Sequence, residues 1–147
     1  MTNSLVAVLC LIAAALGVAV MAGLLLRRRS GILRDSAGQN LQNAAPSLHE
    51  VAELGLSQTG PTVVHFTAVW CGPCAAVRRV VDQVCGELPG VAHVEIDMDA
   101  NPVAARRLSV LSLPTTFIFD ATGRQRYRAA GVPKAADLRS ALVPLLA

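Results

Sequence analysis

Aromatic side chains are scarce in this 147-residue sequence: one Trp, one Tyr and three Phe make up 3% of it, although 53% is apolar. That imbalance points to something other than a water-soluble core raising the apolar share. Cysteine is scarce too, and the four present (Cys10, Cys71, Cys74 and Cys85) are too sparse for a small secreted disulfide scaffold. One close pair and two single thiols place the chemistry at the pair. A second CxxC and a closely spaced histidine pair are both missing. A zinc site, with four ligands, would have to combine Cys71, Cys74 and Cys85 with one of His49, His65 or His93, and no metal or other cofactor is expected. Charge of one sign is also lacking over most of the chain. Arg27, Arg28, Arg29 and Arg34 are four of the 13 basic residues, and Asp35 is one of the 10 acids; after residue 47 the remainder balance. Basicity belongs to one flank, which argues against a nucleic-acid partner.

The length suits one compact domain and not two. From Leu5 to Leu26 no residue is charged, and about 20 apolar residues span a hydrocarbon core. Residues 1–4 carry no basic side chain, and no small-residue cleavage site precedes the arginines, so a secretory signal peptide is disfavoured. Cys10 lies too early in the run and follows the bulky Leu9, which disfavours a lipoprotein; it reads as a small apolar residue within the membrane. Arginines follow the run and none precedes it, so the positive-inside rule puts the rest of the chain in the cytoplasm. The expectation is a single-pass anchor with its basic flank over residues 1–29, held in the cell membrane. A tether rich in Gly, Ser, Asn, Gln and Ala occupies residues 30–46, and one domain fills residues 47–147.

Within that domain, Ser47 and Glu50 have capping-box spacing and open a helix over 48–56. The β-branched run 62–67 is a buried strand. Apolar residues at Val77, Val80, Val81, Val84 and Leu88 recur every three or four positions and predict a helix over 74–87. A strand over 91–97 follows. Asn101-Pro102 caps and opens a short helix ending near Leu108. Strands over 115–119 and 124–129 flank the turn 120–123, and a helix closes the chain from Lys134. Helices between strands imply parallel pairing, and the last hairpin adds an antiparallel edge. The fold class is α/β, a mixed sheet with helices on both faces, preceded by one N-terminal transmembrane helix.

Trp70-Cys71-Gly72-Pro73-Cys74 stands where the buried strand hands over to the helix. The thiolate is the nucleophile in disulfide exchange, and a helix N-terminus lowers a thiol pKa through free N–H groups and the helix dipole. The two-residue spacer sets Cys74 one turn behind Cys71, within reach of a mixed disulfide. Pro73 suits a first turn, where a missing N–H is harmless. Cys85, on the same helix, reads as a buried small hydrophobe.

Residues 47–147 resemble thioredoxin over the whole fold. The resemblance rests on WCGPC at 70–74, VVHF before it, IDMDANP at 96–102, LPTTFIF at 113–119, DATG at 120–123 and Gly131. It implies a disulfide reductase in which Cys71 attacks and Cys74 resolves. It further implies that Pro114 is cis and faces the cysteines, that the Leu113 backbone pairs with bound peptide, and that Gly131 leaves room for substrate. Trp70, Gly72 and Pro73 belong to the same surface. Protein disulfides are the expected substrates, and an upstream thiol reductant such as a thioredoxin reductase is the expected donor. The sequence departs from the family at His65, where an Asp is usual, and at His93, where a Lys is usual. Thr67 replaces a Trp, and Arg79 a kinking Pro. His65 is either the proton acceptor for Cys74, its ordinary pKa of about 6.5 suiting that task, or a hydrogen-bonded core histidine. Rival readings are an extracytoplasmic thiol reductase of the cytochrome-maturation type, which needs the opposite topology, and a non-catalytic adaptor, which has no need of two thiols.

Overall fold

A computed structural model describes residues 2–28, 31–36 and 53–147, in two units that divide between Ser30 and Gly31. The first unit is a single helix, α1 (Thr2–Arg28, 27 residues). Its described side chains, Val8 and residues 11–25, are all exposed. Counted over the described residues, no helix is long and apolar enough to cross a membrane. The expected run from Leu5 to Leu26 extends past those side chains at both ends, so the anchor rests on the sequence.

The second unit is a five-stranded sheet in the order β1-β5-β4-β2-β3. Its elements are β1 (Arg34–Asp35), β2 (Thr62–Thr67), α2 (Cys74–Glu87), β3 (Ala92–Asp97), α3 (Pro102–Arg107), β4 (Thr115–Phe119), β5 (Gln125–Ala130) and α4 (Ala135–Leu142), followed by a short 3₁₀ turn, Val143–Leu145. The helix expected over 48–56 lies outside the described residues as far as residue 52. Beyond it, Leu54 and Leu56 are buried.

Two pairings differ from expectation. Among the described strands only β2 and β3 run parallel; β4, expected to be parallel, runs antiparallel to β2. α3, six residues long, rises only ~9 Å, less than the ~20 Å of a six-residue strand, and the chain enters β4 at the end of the sheet where β3 stops. The second difference lies in the tether, where residues 31–36 join the sheet. Arg34 and Asp35 pair antiparallel with Arg128 and Tyr127. Gly31 N–H donates to the Ala130 carbonyl at 2.5 Å and Ser36 N–H to that of Arg126 at 2.8 Å, while Leu33 packs on the core. Gly31 has φ +84° and sits where a Cβ would collide with the Val132 carbonyl, so only glycine fits. The hairpin strand β5 is thus covered, and β1 is the edge.

Alternation along β2 builds two cores. Val64 and Phe66 face α3, meeting Ile96, Ala105, Phe117 and Phe119. Val63 faces α2 and α4, meeting Val77, Val81, Ile118, Leu138 and Leu142. His65 shares that second face by the period of two, and it is fully buried.

Candidate active site

The strand-to-helix handover holds the redox pair. Cys71 N–H donates to the Ala68 carbonyl at 3.0 Å and Cys74 N–H to that of Cys71 at 3.2 Å, a turn that carries β2 into α2 without a side-chain cap. Pro73 stands at the N-cap of α2 with φ −75°, where its lack of an N–H leaves nothing unpaired. Cys71 and Cys74 are joined in a disulfide with their Cα atoms 5.5 Å apart. The two sulfurs meet different surroundings: Cys71 is half-buried, Gly72 and Pro73 are exposed, and Cys74 is buried, its Sγ lying 4.0 Å from the Phe66 carbonyl. Trp70 is 64% exposed beside Val69 at 95%, and its indole N–H donates to Asp99 Oδ2 at 2.9 Å. Apolar surface next to an attackable sulfur suits an extended peptide.

Leu113–Pro114 is a cis peptide. Pro114 is buried and Leu113 half-buried, and the ladder with β2 begins only at Thr115, so Leu113 stands outside the sheet pairing. Gly131, at φ +87°, donates its N–H to the Pro114 carbonyl at 2.9 Å and so ties the end of β5 to the proline.

A polar row crosses the sheet face that α2 covers. His65 is in register with Glu95 on β3 and Thr116 on β4. Its Nδ1 lies 2.9 Å from His93 Nε2, and His93 Nδ1 lies 2.8 Å from Asp82 Oδ1 on α2. His65 Nε2 is 3.6 Å from Glu95 Oε2, beyond hydrogen-bond reach. Arg78 donates Nε–H to that oxygen at 2.6 Å and a second N–H to Glu95 Oε1. Burial, then the neighbouring His93, lowers the pKa of His65 to about 4, so the ordinary value of about 6.5 expected from the sequence does not hold in the fold. The Arg78 hydrogen bonds hold Glu95 below the ordinary carboxylate range. Thr67, Ala68, Val69, Arg78, Glu95 and Asp97 line an open cavity of about 420 Å³ beside this row.

The thioredoxin family model matches residues 48–143, a span that takes in the cysteine pair and every element from β2 to α4. The chain belongs to the thioredoxin family. A thioredoxin from Mycolicibacterium smegmatis is 40% identical over 67 residues, 44% of this chain and 60% of that protein. A bifunctional thioredoxin reductase/thioredoxin from Mycobacterium leprae is 40% identical over 95 residues, 62% of this chain and 20% of that protein. Among solved structures, a thioredoxin from Trypanosoma brucei brucei superposes with a TM-score of 0.56 at 28% identity, covering 71% of this chain and 96% of that one. This chain spans about 60% of the length of the curated relatives first matched.

In this thioredoxin fold, Cys71, Pro73 and Cys74 follow β2, Leu113 and Pro114 precede its antiparallel neighbour β4, and Gly131 follows β5, while His65 stands within β2. Sequence reasoning singled out His93 only as a linked replacement and missed Asp82, Glu95 and Arg78. The linked change at two polar strand positions was the available signal. Cys85 stands apart: it is half-buried where the sequence suggested a buried position, and burial, then the charge of Asp82, pushes its thiol up to about 11, so it stays an inert, protonated side chain at neutral pH.

Proposed function

We propose that this chain reduces protein disulfides through Cys71 and Cys74, from a domain held at the cytoplasmic side of the cell membrane. One observation carries the chemistry: a bonded cysteine pair at the start of α2, with one sulfur half-exposed and the other buried. Free N–H groups and the helix dipole favour a thiolate at Cys71. That thiolate attacks one sulfur of the substrate disulfide and expels the other as a thiolate. Cys74 then gives up its proton and attacks Cys71 Sγ. The second substrate sulfur leaves with its electron pair, so two electrons have passed to the substrate and the Cys71–Cys74 disulfide remains. His65 is the acceptor for the Cys74 proton, which gives the buried imidazole a task in place of a structural one. The cis-Pro114 segment and exposed Trp70 seat the peptide.

An upstream dithiol must return the two electrons. A thioredoxin reductase fits that requirement, and the Mycobacterium leprae relative carries both names in one protein. Membrane attachment is supported by the uncharged run from Leu5 to Leu26; the arginines that follow support the cytoplasmic side.

The test is insulin reduction by the full-length chain with dithiothreitol as donor. Cys71→Ser abolishes turnover, and Cys74→Ser still attacks but accumulates mixed disulfide. Wild-type turnover in Cys71→Ser contradicts the assignment. For topology, an impermeant maleimide on intact cells leaves Cys71 unlabelled until the membrane is opened. Labelling beforehand reverses the orientation and favours the extracytoplasmic reductase.

A further inference from the structure

The polar row under α2 has a direction. An ionised carboxylate only accepts hydrogen bonds, so His93 Nδ1, 2.8 Å from Asp82 Oδ1, carries the hydrogen. In neutral His93 the other ring nitrogen, Nε2, is then an acceptor. His65 Nδ1 lies 2.9 Å from it and is the donor. That leaves His65 Nε2 as a lone pair, buried and without a hydrogen-bond partner. The row therefore runs from a bare base in the core to Asp82, whose side chain is 58% exposed.

We propose that His65, His93 and Asp82 form a proton wire that carries the Cys74 thiol proton out to solvent and returns it. The proposal rests on the disulfide-reductase reading. As Cys74 attacks, its proton passes through an intervening water to His65 Nε2. The Nδ1 proton of His65 moves to His93 Nε2, and the Nδ1 proton of His93 moves to Asp82 and on to water. One proton enters and one leaves, and the only redox change is the thiol–disulfide exchange itself. Both imidazoles finish with their hydrogen on Nε2, the opposite tautomer from the start. Re-reduction by the upstream dithiol frees a Cys74 thiolate, which takes the proton from His65 Nε2. The wire then runs backward and both tautomers are restored. Each half-reaction resets the wire for the other.

The remaining groups around His65 fit this assignment. From α2, Arg78 faces it alongside Asp82; from β3, Glu95 alongside His93; from β4, Thr116, whose buried hydroxyl also lacks a partner. Glu95 is the other conceivable exit, since it lines the cavity. However, two hydrogen bonds commit its carboxylate to Arg78, and a carboxylate held ionised by an ion pair is a poor proton carrier. Its negative charge instead favours the transient imidazolium at His65. His93 and Asp82 relay the proton and act on Cys74 only through His65.

The test is single-turnover reaction of the reduced full-length protein with a disulfide substrate, timing mixed-disulfide formation and resolution separately. His93→Gln keeps an acceptor for His65 and a donor for Asp82 but cannot relay a proton. It is expected to attack at the wild-type rate and resolve about 10²-fold more slowly, the low end for a positioned acid–base group. His93→Ala resolves equally slowly and regains rate when imidazole is added to the buffer, which a structural role would not produce. Resolution at the wild-type rate in His93→Gln overturns the wire. So does slow resolution in Glu95→Gln combined with normal resolution in Asp82→Asn. Failure of the reductase reading would show elsewhere, as an attack phase that does not depend on Cys71.

Discussion

On β2, Val64 and Phe66 face one side of the sheet and Val63 and His65 the other, and all four are fully buried. The first side is mainly apolar and holds the three phenylalanines, Phe66, Phe117 and Phe119, and its buried Thr62 and Thr115 hydroxyls are both hydrogen-bonded. The second is lined by aliphatic residues of α2 and α4, except where His65, Glu95 and Thr116 stand in register. Burying His65 Nε2 and the Thr116 hydroxyl without hydrogen-bond partners is unfavourable. The fold confines that penalty to the face that α2 covers. Ring packing on the opposite face holds the shared strands in place.

The comparison breaks most sharply at Phe117, whose ring meets Phe66 edge-on at 5.9 Å. Phe117→Ala is expected to cost about 3–5 kcal/mol in urea unfolding, while the folded fraction resolves mixed disulfide at the wild-type rate. A comparable loss of resolution rate would mean that the two faces are not separable.

The polar end imposes a pH dependence that the apolar face does not. His65 has its pKa lowered to about 4 in the folded protein, against about 6.5 unfolded. Above pH 6.5 both states are neutral and stability is full. As pH falls below 6.5 the unfolded chain binds a proton that the folded one refuses until about pH 4, so stability declines across that window. From pH 7.5 to pH 5 the loss is about 2 kcal/mol, and His65→Gln removes it. Equal wild-type stability at both pH values would contradict the burial of a neutral imidazole.

The smallest effect belongs to the rim of the apolar face. The Arg128 guanidinium lies 5.1 Å from the centre of the Phe117 ring and donates to the Leu108 and Ser109 carbonyls at 3.1 and 2.7 Å. Arg128→Ala is expected to cost about 1 kcal/mol, read by thermal unfolding, without moving the pH dependence.

The extents of β2, α2, β3, β4 and β5 were legible because each carries its own signal: a β-branched run, a three-and-four spacing, or a turn at Asp120 to Gly123. Cys71 and Cys74 were legible because their chemistry needs that spacing at that strand-to-helix boundary. The direction of β4 was not, since it depends on the path of the chain between β3 and β4, which the alternation of elements does not state. β1 was not legible either: an Arg-Asp pair has no strand pattern, and its place depends on Gly31 and Leu33 meeting partners about a hundred residues away. His65 and His93 stood out as replacements, but their link to Asp82 exists only once α2 is laid across β3. That juxtaposition is tertiary, and no local period encodes it.

The central claim is that the buried polar row serves Cys74 and not Cys71. Its most direct test is the rate of the two exchange steps in His65→Ala during a single turnover near neutral pH. The expected result is attack by Cys71 close to wild type and resolution by Cys74 slowed by about 10²-fold or more, with His65→Asp recovering part of the rate. If His65→Ala resolves as fast as wild type, the row has no part in the chemistry and the account is wrong.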